Sequence, residues 1–81
     1  MNRARADFLK IDVETALTFL RSARQTSDVA RKKRNCNAAR RAYGTVTKLM
    51  ERVTLSEEDV RTLVVGLEQL RSELEELGEV L

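Results

Sequence analysis

The chain has 81 residues, with 15 Lys or Arg, 13 Asp or Glu, no His and a formal net charge of +2. That length admits one domain with one core and leaves little room for an internal active-site pocket. Absent proline, three glycines and only Phe8, Phe19 and Tyr43 as aromatics exclude a β-sandwich and describe long helices.

The first predicted helix covers about 5–25. Leu9, Val13, Ala16, Leu20 and Ala23 recur in steps of three and four, and Leu17 widens the stripe. Asp7 and Asp12 are both candidate caps. Phe8, Ile11 and Phe19 lie off this stripe. They form either part of a wide core arc or a patch for self-association or a partner helix.

The second helix is predicted over 29–53, with Thr26, Ser27 or Asp28 as its cap. Cys36, Ala39, Tyr43, Val46, Met50 and Val53 share one face, broadened by Ala42 and Leu49. Arg34, Arg41 and Lys48, seven apart, form a ridge on the other side.

The third helix, over 57–77, has the clearest seam: Val60, Leu63, Leu67, Leu70, Leu74, Leu77 and Leu81, with Val64 beside it. Ser56 is its predicted N-cap, with Asp59 as capping-box partner and Leu55–Val60 as staple. Gly78 stands where a left-handed C-cap belongs. Short connections force consecutive helices antiparallel. The expected fold is all-α, a single 1–81 domain forming an up-down-up three-helix bundle.

The segment NAARRAYGTVTKLM, with Ala39, Ala42 and Tyr43 at small and aromatic positions, resembles the second helix of a tetratricopeptide-type hairpin. A hairpin followed by a longer leucine-rich helix is also similar to the MIT domain. The succession ETALTFLRSA, RNCNAARRAYGTV and a leucine repeat ending in ELGE resembles a set of short bacterial three-helix proteins. The first helix has neither the Trp nor the Gly of a tetratricopeptide first helix. The resemblance therefore implies topology and, through the interaction modules, binding of a protein partner.

Charge is distributed unevenly. Residues 1–53 hold 13 cations against 5 acids, and residues 54–81 hold 2 against 8. Packing of the acidic third helix on the basic part would neutralise both. The run Arg31, Lys32, Lys33 and Arg34 stands at a helix start, where cations oppose the dipole at about 0.3–1 kcal/mol each. With Arg41 and Lys48 it is a candidate site for an anion, an acidic protein or, less readily, nucleic acid, because no aromatics interleave to stack on bases.

Cys36 has two readings. Arg40, one turn on, would activate its thiol; its place on the apolar face makes it a small core residue. A lone cysteine and the lack of an apolar run for a leader or membrane span lead to an expected cytoplasmic setting without membrane contact. The third helix's glutamates, among them Glu68, Glu75 and Glu79, lack the histidines of a carboxylate metal site. No cofactor and no enzymatic activity are expected. The expected role is a protein-binding module, or a homodimer, with anion or nucleic-acid binding as the alternative. Gly44 and Gly66 fall inside helices, at about 1 kcal/mol each relative to alanine, and Gly44, directly after Tyr43, permits either a close helix approach or a groove for a partner.

Overall fold

The computed structural model describes residues 3–79 as three helices, α1 (Arg3–Gln25), α2 (Val29–Met50) and α3 (Glu57–Glu76). No strand occurs among the described residues. The expected seam residue Leu81 lies outside them.

The helices start and stop for local reasons. Asp28 caps α2: its carboxylate accepts from the N–H groups of Ala30 and Arg31 at 3.0 and 3.1 Å, while its own N–H donates to Thr26 Oγ1 at 3.2 Å. Ser56 caps α3, its Oγ accepting from the Asp59 N–H at 3.1 Å. At the far end Gly78 takes a φ of 84°. Its N–H donates to the Glu75 carbonyl and the Glu79 N–H to the Leu74 carbonyl, both at 3.0 Å. This is a Schellman closure, which requires the left-handed conformation that glycine adopts without strain.

Two boundaries differ from expectation. Helix α1 begins at Arg3, so Asp7 and Asp12 are both interior. No glycine or proline interrupts residues 3–12, and Ala6 and Leu9, both buried, anchor this early stretch in the core. Helix α2 ends at Met50 rather than at residue 53, yet Val53, now in the connection, still packs against the core.

Ion pairs and packing give the topology. Lys10 near the start of α1 meets Asp59 near the start of α3 at 2.7 Å. Arg24 near the end of α1 meets Glu76 at the end of α3 at 2.6 Å. These two helices therefore run parallel, with α2 antiparallel to both. The result is an up-down-up bundle measuring 43 × 19 × 16 Å.

Helix α1 packs on both neighbours, most extensively on α2, and the α2–α3 interface is the lightest. Ala16, Ala23, Cys36 and Ala39 explain the close α1–α2 seam, since small side chains let the backbones approach. These residues gather with Leu20, Leu70 and Leu74 at one end of the core. Leu9, Val13, Val46, Leu63 and Leu67 form the other end, and Leu17 and Tyr43 touch both.

Gly66 marks the α1–α3 approach. A Cβ there would stand 2.9 Å from Val13 Cγ1. Gly44 has no comparable neighbour; nothing lies within 4 Å of its notional Cβ. The seam of α3 also turns slightly from its expected setting. Asp59 is buried, while Val60 and Val64 are exposed. Lys10 draws the Asp59 carboxylate towards α1, and the valines one and five residues further on face outward.

Candidate functional site

The outer face of α1 holds the most distinctive apolar surface. Phe8 is 63%, Ile11 58% and Phe19 39% exposed. These values place the trio outside the core arc of α1, which is filled by Ala6, Leu9, Val13, Ala16, Leu20 and Ala23 without them. Phe8 and Phe19, eleven residues apart, lie about 20° from one another around the helix. Ile11 lies between them along the helix.

Ala4, Thr15 and Ser22 are exposed on the same strip. Together the six form a charge-free stripe about 27 Å long, roughly 140° round the helix from the core seam. The stripe has its own three-and-four spacing, and that spacing was the signal available for Ala4, Thr15 and Ser22.

At the Phe8 end the stripe opens into a groove of about 370 Å³ between α1 and the end of α2. Phe8, Leu9, Leu49 and Val53 form its apolar walls, and Arg5 and Arg52 complete its lining. Sequence periodicity did not reveal the groove. It depends on two helix ends meeting, and its α2 side comes partly from residues beyond the helix.

The second surface is the outer side of α2. The helix carries Arg31, Lys32, Lys33, Arg34, Arg40, Arg41 and Lys48 and no acid. All seven cations are exposed. Arg40 alone among them forms an ion pair within the described residues, with Glu79 at 3.5 Å. The expected neutralisation by α3 is therefore slight, because α2 and α3 barely pack and the other interhelical pairs leave from α1. Arg34, Asn37 and Arg41 line a shallow recess on this ridge, while Lys48 stands further along it.

The start of α2 already holds an anion of its own. Hydrogen bonds from the Arg31 and Ala30 N–H groups, with the charges of Arg31 and Arg34, hold the Asp28 carboxyl below its ordinary range. Two of the N–H groups that would have received an external anion are thus occupied. The cations nearby are offset in part by Asp28, so their position opposes the dipole less than the sequence implied.

Cys36 is buried among Ala16, Leu20, Ala23 and Ala39. Burial, and next the charge of Glu79, push its thiol above the ordinary value, outweighing the opposite influence of Lys32. The activating reading, which relied on Arg40, is thereby corrected: Arg40 is directed to Glu79. A raised, enclosed thiol is a poor nucleophile at neutral pH.

The glutamates of α3 and Glu79 just beyond it do not converge. Glu75 faces Arg71 at 3.9 Å, Glu79 faces Arg40, and Glu73 takes a hydrogen bond from Gln69 at 3.1 Å. No group of three or more Cys, Asp or Glu side chains able to hold a metal occurs among the described residues. None of the described helices is long and apolar enough to cross a membrane.

No protein-family model, curated protein or solved structure matches the chain.

Proposed function

We propose that this chain is a non-enzymatic helical module that binds protein through the outer stripe of α1. The observation that carries the reading is the exposure of Phe8, Ile11 and Phe19 on one charge-free strip, beside a groove edged by two arginines. Full burial of a large apolar side chain contributes about 1.5–3 kcal/mol, and Phe8, Ile11 and Phe19 forgo roughly the exposed half of it. A chain this small has a total stability on the order of 4–12 kcal/mol, so three such residues are a large sacrifice unless a partner covers them. A lone, enclosed thiol supports a reducing, cytoplasmic setting for the module.

The test is quantitative co-purification from the native host with the wild-type chain and a Phe8→Lys/Ile11→Lys/Phe19→Lys variant of matched stability. Partners held by the wild type and lost by the variant are expected. Identical sets of bound protein would remove this reading.

One observation favours a second reading, anion or nucleic-acid binding on α2. Seven cations stand on a helix without an acid, and six of them make no ion pair among the described residues. Like charges spaced along one helix cost about 0.2–0.5 kcal/mol per close pair. Oligonucleotide binding titrated against salt decides it. Affinity falling steeply with salt, and lost with Arg34→Glu/Arg41→Glu, is expected under this reading. No binding at about 50 mM salt, where phosphate contacts are strongest, eliminates it.

A further inference from the structure

We infer that the partner for the α1 stripe is a second copy of the same chain, docked antiparallel about a two-fold axis near residues 13 and 14. The inference rests on the protein-binding reading above and names the partner for that surface.

The order of side chains along the stripe carries the argument. It runs Ala4, Phe8, Ile11, Thr15, Phe19, Ser22. By size this is small, aromatic, β-branched, β-branched, aromatic, small, and it reads the same in both directions. Reversal about the midpoint places Ala4 against Ser22 of the second copy, Phe8 against its Phe19, and Ile11 against its Thr15. In each of these layers the two residue numbers sum to 26 or 27, so one register satisfies all of them. A two-fold interface requires this kind of self-complementarity, because the same patch must serve both sides. Two Phe–Phe layers separated by a β-branched centre suit offset or edge-to-face aromatic packing.

The flanks agree. Asp7 and Arg21 lie on the same edge of the stripe, and both are exposed. Neither makes an ion pair within the described residues. An antiparallel two-fold pair sets each edge against its own copy, which brings Asp7 of one chain level with Arg21 of the other, twice. Glu14 opposes this arrangement, because it stands on the same edge close to the axis and faces its own copy. Phe19 leans towards the α2 side of the stripe, the side on which the groove beside Phe8 opens. The groove can therefore receive the ring of Phe19 from the second copy.

A single helix stripe buries an area at the low end of specific interfaces, below about 1,200 Å² in total. Association is consequently weak and concentration-dependent, and sedimentation velocity from about 5 to 500 µM reads it. The expected result is a monomer–dimer equilibrium that Phe8→Lys or Phe19→Lys weakens at least tenfold, with the folded helical state retained at the same concentrations. Asp7→Arg and Arg21→Asp should each weaken it by about threefold to tenfold, and the double charge swap should restore it.

Orientation is read by disulfide trapping in a Cys36→Ala background with separate Ala4→Cys and Ser22→Cys chains, which keep both phenylalanines. Cross-linking should appear when the two chains are mixed and not with either alone. Cross-linking of each chain with itself would mean a parallel pair and would overturn the inference. So would a dimer insensitive to both lysine substitutions. A strict monomer across the whole range would also overturn it, while leaving the wider protein-binding reading to be decided by the co-purification test, in which a different protein would be lost from the variant.

Discussion

Helix α1 carries two apolar stripes with nearly the same spacing and opposite surroundings. The inner one, Ala6, Leu9, Val13, Ala16, Leu20 and Ala23, is at most 4% exposed at any position. The outer one carries the larger side chains, Phe8 and Phe19, one step in from its small ends, and faces solvent. Size explains the division. The inner stripe alternates small and large residues, so α1 can approach α2 and α3 closely, and Phe8 or Phe19 in place of Ala6 or Ala16 would wedge the helices apart. The stripe with the bulkier aromatics is therefore the one that three helices of this length leave outside.

The sharpest break in this comparison is a pair of neighbours. Leu20→Ala, in the inner stripe, should cost about 2–5 kcal/mol through lost burial and the cavity it leaves. Phe19→Ala, one residue away and 39% exposed, should cost clearly less, about 1 kcal/mol at low protein concentration. Urea unfolding of both variants measures the contrast. Comparable losses would make the outer stripe structural.

A smaller effect tests the edge of the inner stripe. Lys10 meets the buried carboxylate of Asp59 at 2.7 Å, so Lys10→Ala should cost about 1–3 kcal/mol by removing a charged hydrogen bond from a buried group. The exposed Arg24 pairs with Glu73 and Glu76 should contribute at most about 1 kcal/mol. Thermal unfolding of Lys10→Ala beside Arg24→Ala would expose an inversion of that order.

Next come the two helical glycines. Gly66→Ala sets a Cβ 2.9 Å from Val13 Cγ1, and the stiff valine rotamer yields little. A net loss of about 1–2 kcal/mol is expected, relieved in part by Val13→Ala. Gly44→Ala meets nothing and should gain about 0.5–1 kcal/mol from helix propensity alone. Equal signs for the two would mean that α1 and α3 are not in close contact at Gly66.

The smallest effect lies outside both stripes, at Asp28. Its folded-state pKa is lowered below the ordinary 3.8, first by the Arg31 N–H. Its contribution is therefore present above the unfolded value and is lost as pH falls through the lower folded one. Asp28→Asn retains a capping oxygen but has no charge to titrate. The melting temperatures of variant and wild type should differ slightly at pH 7 and draw together at pH values below the ordinary 3.8. A difference that persists there would mean that the charge is not what distinguishes the two caps.

Much of this molecule was legible in one dimension because the relevant physics is local. Ser56 and Gly78 are recognisable from the backbone groups that a helix end leaves unpaired, and both stand where expected. The leucines from Leu63 to Leu74 and the face from Cys36 to Val46 follow from the helical period, which also placed Cys36 inside. The trio Phe8, Ile11 and Phe19 could be singled out, but not assigned to core or surface. The α2 cations could be found, but whether α3 would cover them could not be told. The start of α1 lies two residues before the expected one, and neither Asp7 nor Asp12 caps it, while Ala6 reveals its part only through what it touches.

The sequence by itself therefore determined three helices, their order and the inward face of each, since period, capping and short connections act within a few residues. Tertiary structure alone decided that the second apolar stripe on α1 stays outside the core, that Gly66 admits Val13 while Gly44 admits nothing, and that α2's charge faces water. Each of these depends on how closely two helix axes approach. That distance is set by the sizes of residues far apart in the chain, as when Val13 meets the bare backbone of Gly66.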